Sequence, residues 1–231
     1  MNTRPGWTIL ALLLLSIFSL TFMKSPEAIT ATLMQMSADL RGYSAFTHIL
    51  FLAVVISGLL VARVESRLFS VFIAFLSLSA TVISGKYGIV PNIVLFAVFF
   101  VLIIHAYFTK NLNFRVRTVP RLDLLFGIPA LIFGFWYLHW VQSPVWLNAF
   151  LYSPLGVVNC PTMVTICGFL CLAQPPRSTP LEAVVALTTL YFGFFGLLRL
   201  GAYVDVVLII CALYLIVRLG ATMGPIFTQR R

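Results

Sequence analysis

The stretch LGVVNCPTMVTICGFLC, residues 155–171, carries no charged residue and is apolar over most of its length. Such a stretch suits the interior of a lipid bilayer. It also places Cys160, Cys167 and Cys171 at positions i, i+7 and i+11, on one face of a helix. Whether these thiols bind a metal or pack between helices depends on the class of protein to which the chain belongs.

Composition places the chain among integral membrane proteins. Of its 231 residues, 61% are hydrophobic and 9% are charged, whereas about a quarter of the residues in an ordinary soluble domain are charged. The formal net charge of +9 is explained by basic residues that hold loops on the cytoplasmic side of a membrane. We therefore predict that the lipid bilayer is a partner of this protein and that nucleic acid is not.

Apolar segments separated by short polar breaks predict an all-α integral membrane protein, a bundle of about eight transmembrane helices in one polytopic domain, residues 1–231. The segments cover residues 7–23, 44–64, 68–86, 89–109, 122–142, 157–174, 181–199 and 202–219. The first segment resembles a signal peptide, but no small-residue cleavage motif follows it. We predict that it is retained as an extra N-terminal helix.

The distribution of basic residues predicts the orientation of the bundle. Eight spans place alternate loops on opposite sides, and most of the lysines and arginines fall in the loops of one side. The loop KNLNFRVRTVPR, residues 110–121, is the most basic of these. Because cytoplasmic loops carry an excess of Lys and Arg, both termini are predicted to be cytoplasmic.

An internal repeat is suggested by the order of the predicted spans. Residues 44–109 and 157–219 each hold three spans, and residues 122–142 form a linker helix between them, a three-plus-one-plus-three plan. Parallel repeats of this kind occur in small transporters such as the SWEET sugar carriers. The stretch KYGIVPNIVL at 86–95 aligns without gaps to RLGAYVDVVL at 199–208, pairing Lys86 with Arg199, Gly88 with Gly201 and Asn92 with Asp205. Chance similarity between apolar helices is the alternative.

Polar residues near the predicted outer helix ends are the candidate solute-binding residues: Asn92, Asp205, Asn159 and Thr162. Polar side chains are costly against lipid, so they tend to face the bundle interior or a water-filled cavity. The alternatives are structural. Asp205 would then cap its helix and pair with Arg199 or Lys86, while the NCPT sequence would only cap a helix start.

Metal binding and catalysis have little support in the sequence. His48, His139 and Cys160 are weak candidates for zinc or copper ligands, because all three are predicted near the outer side. Nothing in their spacing shows that they meet, so no metal and no other cofactor is predicted. Small residues on one helix face usually allow close helix packing, which favours packing for the cysteines. No P-loop, GxGxxG, GxSxG or HExxH motif is present, so no catalytic residue is predicted and enzymatic activity has no support in the sequence. A membrane enzyme or metal-binding protein is the third alternative.

Two stretches carry a resemblance to a known family. LFAVFFVLIIHAYFTKNLNFRVR is a helix that runs into a basic loop, and YSPLGVVNCPTMVTICGFLCLAQPP contains Cys-Pro-Thr and a proline pair. From about residue 60 to residue 219 the chain resembles an uncharacterised bacterial family of multi-span membrane proteins, domain of unknown function 6064. The resemblance implies a related fold and a location in the bacterial inner membrane, and it implies no activity.

Two functions fit these features. The first is a permease or transporter for a small, weakly polar solute that binds between the repeats. The second is an accessory or assembly subunit of a larger membrane complex, or a homo-oligomer, because short loops and 21 phenylalanines leave the outside of the bundle as a contact surface.

Overall fold

The computed structural model describes residue 15 and residues 22–61 and 65–228, with side chains described up to residue 221. The first predicted span, residues 7–23, lies almost entirely outside these residues. Its retention as a helix therefore stays a prediction.

The described residues form nine α-helices and one short strand pair. The helices are α1 (Pro26–Asp39), α2 (Arg41–Leu60), α3 (Glu65–Lys86), α4 (Val90–Phe108), α5 (Arg121–Phe135), α6 (Val145–Tyr152), α7 (Asn159–Leu172), α8 (Thr179–Arg199) and α9 (Val206–Thr228). Strands β1 (Asn113–Phe114) and β2 (Ala173–Gln174) pair antiparallel. The 3-10 turn Tyr203–Asp205 leads directly into α9.

Long apolar helices confirm the class of a helical membrane protein. Within the described ranges, α2, α3, α4, α8 and the helical stretch Tyr203–Ala221 are long and apolar enough to cross a bilayer. They correspond to the second, third, fourth, seventh and eighth predicted spans. The total of eight spans stays a prediction.

The fifth and sixth predicted spans form shorter helices than expected. Helix α5 has 15 residues and α7 has 14, so each is roughly 21–23 Å long, against about 30 Å for the hydrocarbon core. Beyond α5 the chain is irregular, and Trp140 adopts a left-handed conformation with φ 63°. Prolines limit α7 at both ends. Pro161 lies in its first turn, where proline is tolerated, and Pro175 follows shortly after its last residue.

Helix α7 is the centre of the bundle. All of its residues are buried, and α3, α5, α8 and α9 pack around it. The irregular residues 153–158 that lead into it are buried as well. Non-helical backbone at membrane depth is tolerated only inside protein or along a cavity, so this placement explains how the chain enters α7 without a helix.

Loops predicted to lie on the same side of the membrane contact each other. At one end β1 and β2 join the loops that follow α4 and α7. At the other end the Tyr87 hydroxyl donates to Asp39 Oδ2 at 2.9 Å, and Arg41 donates to Asn148 Oδ1 at 3.1 Å. These contacts are therefore consistent with the predicted spans, which place successive loops on opposite sides of the membrane.

The hairpins α3–α4 and α8–α9 have matching turns. Helix α3 ends at Lys86 and α8 ends at Arg199, while the following helical turns begin at Val90 and Tyr203. Gly88 and Gly201 both have φ +66°, a left-handed conformation that glycine adopts without steric cost at a helix end. The two helix ends, the two glycines and the two following helix starts are each separated by 113 residues.

Helices α5 and α7 approach closely because glycines face the contact. A Cβ atom added to Gly134 would overlap Oγ1 of Thr165, and one added to Gly127 would meet Leu172. Small residues at such contacts let membrane helices pack backbone to backbone.

The close contact predicts that Gly134→Ala destabilises the protein by about 1–3 kcal/mol, the usual cost of overpacking. Gly85→Ala is the matched control, since it lies near the end of α3 and its added Cβ would meet nothing within 4 Å. Thermal unfolding in mild detergent should show a lower midpoint for the first variant only. Equal midpoints would contradict the packing of α5 on α7.

Candidate solute-binding site

A cavity of about 220 Å³ lies at the end of the bundle that is predicted to face outward. It is bounded by α1 and the residues before it, by the α3–α4 turn and the start of α4, by the first residue of α7 and by the end of α8. Most of its wall is apolar. Its polar lining consists of Lys24, Thr32, Asn92 and Asn159.

Two carboxamides face this cavity without an ordinary hydrogen bond to the protein. Asn92 is 3% exposed, and its carboxamide has no hydrogen-bond partner in the described part of the chain. Asn159 is 7% exposed, and its Oδ1 receives only a long contact of 3.8 Å from the Sγ of Cys160. Buried polar groups are normally hydrogen-bonded, so both amides are available to a molecule in the cavity.

Two helix starts also border the cavity, since α4 begins at Val90 and α7 at Asn159. Their first turns offer few free N–H donors, because Pro91 and Pro161 have no N–H group and the Asn92 N–H already bonds a backbone carbonyl at 3.1 Å. Hydrogen bonds to a molecule in the cavity therefore come mainly from side chains.

Asp205 lies behind the cavity wall. Its side chain is fully buried, where Oδ1 accepts a hydrogen bond of 2.5 Å from the Tyr137 hydroxyl and Oδ2 accepts one of 3.2 Å from Cys160 Sγ. A Cβ atom on Gly196 would overlap Oδ2, so glycine at that position makes room for the carboxyl group. Asp205 thus connects α7, α8 and the segment after α5.

The structural alternative for Asp205, pairing with Arg199 or Lys86, is not observed. Both ion pairs within the described ranges are formed by Arg218. Arg199 instead donates to the Lys24 carbonyl at 3.0 Å, and Lys86 lies over the ring of Tyr87. The Asp205 carboxylate is buried instead of lying at the predicted membrane interface, because the Tyr137 hydroxyl donates a hydrogen bond to it. Tyr137 belongs to no sequence motif.

Thr162 has a structural position. Its Oγ1 donates to the Val158 carbonyl at 2.6 Å and accepts from the Gly156 N–H at 2.9 Å. The side chain is fully buried and does not line the cavity. Of the four predicted solute-binding residues, the structure therefore brings two to the cavity, Asn92 and Asn159.

The weak metal candidates occupy separate environments. The two ring nitrogens of His48 lie 2.9 Å and 3.0 Å from the carbonyl oxygens of Phe150 and Ser153. His139 packs edge-to-face on Trp140, and Cys160 bonds Asp205. Among the described residues, no group of three or more His, Cys, Asp or Glu side chains has a metal-binding arrangement. The cysteines of α7 are buried and free, in agreement with the packing interpretation.

A buried ion cluster at the opposite end of the bundle was missed by sequence reasoning. Arg218 donates to Glu182 Oε1 at 2.7 Å and to Asp123 Oδ1 at 3.3 Å. It also donates to the carbonyls of Cys171 and Leu170, at 2.8 Å and 2.7 Å. Sequence reasoning assigned Arg218 no partner. The position of this arginine inside an apolar span was the signal for a buried cluster, because ionisable residues in a span normally have a partner.

Fold and site together define the class of the protein, a helical membrane protein with a small, mostly apolar cavity at one end and a buried ion cluster at the other. Comparisons with protein-family models, with curated proteins and with solved structures found no match for the chain. The resemblance to domain of unknown function 6064 stays a prediction.

The ion cluster predicts a large stability loss in Arg218→Met. This change leaves the Asp123 and Glu182 carboxylates buried without a cation, which typically costs about 3–5 kcal/mol. Arg67→Met, at an exposed position, should change the free energy of unfolding by less than about 0.5 kcal/mol. Thermal unfolding in detergent measures both. An Arg218→Met protein as stable as the control would contradict the assignment of the cluster.

Proposed function

We propose that this protein is a permease for a small, weakly polar solute and that the 220 Å³ cavity is its binding site. The single observation that carries the proposal is the pair of buried carboxamides, Asn92 and Asn159, which face the cavity without ordinary protein partners. Ligand pockets are mostly apolar with a few polar groups that fix orientation. This cavity has that composition.

An internal repeat explains why a solute site lies at this place in the bundle. The turns at Gly88 and Gly201 support such a repeat, because their conformations and the helix ends around them match at a constant separation. Asn92 and Asp205 then occupy equivalent positions in the two halves. Substrate sites of repeat-built transporters lie at the interface between the repeats, and α4 of the first half and α7 and α8 of the second half bound this cavity.

The ion cluster supports the same proposal. A permease that alternates its access closes one end while the other admits the solute. Arg218 ties α9 to α5, α7 and α8 at the end away from the cavity. The positive-inside rule predicts that this end faces the cytoplasm, with both chain termini on the same side, and the family resemblance implies a bacterial inner membrane.

Asp205→Asn is the variant that tests the permease. An amide nitrogen cannot accept a hydrogen bond, so either the Tyr137 hydroxyl or the Cys160 thiol loses its acceptor, and the wall next to Asn159 is disturbed. We expect uptake of small radiolabelled carboxylates, amides and alcohols into proteoliposomes to be lost, while the protein still elutes as a folded species.

The control for this variant is Asp39→Asn, which changes an exposed carboxylate at the same end of the bundle and should leave uptake intact. Uptake that persists in folded Asp205→Asn would contradict a role of Asp205 in transport.

The second candidate function is an accessory or assembly subunit. An apolar groove of about 450 Å³ between α2 and α5 favours it. Phe51, Leu59, Ile128, Ile132 and Phe150 contribute to its wall. Such a groove matches the side chains of a helix from another membrane protein, because helices in lipid associate through close packing.

Purification from the native membrane in mild detergent, followed by mass spectrometry, separates the two functions. A permease should be recovered alone or as a homo-oligomer. A stoichiometric partner, lost when Ile128 and Ile132 are both changed to Asn, would instead support the subunit. Leu78→Asn, an exposed apolar position on α3, is the control for nonspecific effects of a polar group facing lipid.

A further inference from the structure

The described lining of the cavity contains one charged side chain, that of Lys24. The carboxamide of Asn92, in the first turn of α4, is almost fully buried and has no partner among the described residues. A cation together with an unpartnered buried amide donor is an arrangement that suits a negatively charged group.

Arg199 lies beside the cavity at the end of α8 and is not one of its lining residues. Its Nη2 donates to the Lys24 carbonyl at 3.0 Å, and its guanidinium lies 4.6 Å from the ring centroid of Phe22 and 5.4 Å from that of Phe195. The Glu27 carboxylate of α1 interacts electrostatically with Arg199. Arg199 therefore holds the backbone of Lys24 in place, and Lys24 supplies the charge in the described lining.

The rest of the described lining is mostly apolar. It includes Ile29 and Leu33 of α1, Phe192 and Phe195 of α8, and Leu200. The cavity is smaller than most ligand pockets, which start at about 300 Å³. Its size and lining suit a compact aliphatic or aromatic body.

Carboxylates of the protein do not occupy the cavity wall. Asp205 is fully buried behind it, with both oxygens engaged by Tyr137 and Cys160. Glu27 is exposed on α1 and is not part of the lining. Within the described part of the chain, the basic groups at the cavity are therefore not neutralised by a lining acidic residue.

We propose that the cavity binds small carboxylates that carry an apolar body. The carboxylate lies beside Lys24, where the Asn92 carboxamide donates a hydrogen bond, and the apolar body lies against Leu33 and Phe195. This inference rests on the proposed function, since it takes the cavity as the solute site and adds the chemical class of the solute.

Benzoate, benzamide and benzylamine test the proposal, because they share a ring and differ in charge. Equilibrium dialysis of each radiolabelled compound with the full chain in detergent measures its Kd. We expect benzoate to bind about tenfold more tightly than benzamide, since hydrogen bonds to charged groups are stronger than neutral ones. Benzylamine should bind most weakly.

Variants then assign the contacts. Lys24→Gln, at an exposed position where folding is not at risk, should remove the preference for benzoate, and Lys24→Arg should keep it. Asn92→Leu should weaken both benzoate and benzamide. Arg67→Gln, at another exposed basic position outside the cavity, should leave all three constants unchanged.

The outcomes separate the two proposals. If benzamide binds as tightly as benzoate and Asn92→Leu weakens both, the cavity remains the solute site and the carboxylate class is wrong. If none of the three compounds shows saturable binding, both the ligand class and the proposed function of the cavity fail. Benzoate binding that is insensitive to Lys24→Gln would also overturn the inference.

Discussion

Every backbone N–H and C=O group inside a bilayer needs a partner within the protein, and the structure depends on how residues 136–158 meet that requirement. This segment is outside regular helix for much of its length. Polar side chains of the neighbouring elements compensate. The ring nitrogens of His48 lie against the carbonyls of Phe150 and Ser153, and Thr162 bonds the backbone on both sides of the α7 start. These contacts allow α7 to begin deep inside the bundle.

The deep start of α7 places polar chemistry where a membrane protein can use it. Asn159 reaches the cavity as the first residue of α7, and Cys160 reaches Asp205 from the same turn. The two ends of the bundle therefore differ in whether their buried polar side chains have partners in the protein. Arg218 has carboxylates and carbonyls around it, whereas Asn92 has no partner in the described part of the chain. The first arrangement holds helices together, and the second leaves hydrogen-bonding capacity for a ligand.

Sequence reasoning located the long helices well and overestimated the short ones. The predicted span 68–86 corresponds to α3, since a long apolar run bounded by polar residues has few alternatives in lipid. The predicted span 122–142 ends seven residues beyond α5, because hydropathy counts the aromatic residues after Phe135 as helix. Their irregular backbone is decided by contacts such as the bond from Tyr137 N–H to Ser153 Oγ.

The sequence by itself determined the class of the protein, the positions of its long helices and the list of polar residues that are unusual in lipid. Composition and apolar length are local properties, and the bilayer restricts what they can form. Only the tertiary structure decided which polar residues meet. It brought Asn92 and Asn159 to the same cavity, placed Thr162 in a helix start, and paired Asp205 with Tyr137 and Asp123 with Arg218. The partners are far apart in sequence, so their meeting depends on helix rotation and packing, which hydropathy does not encode.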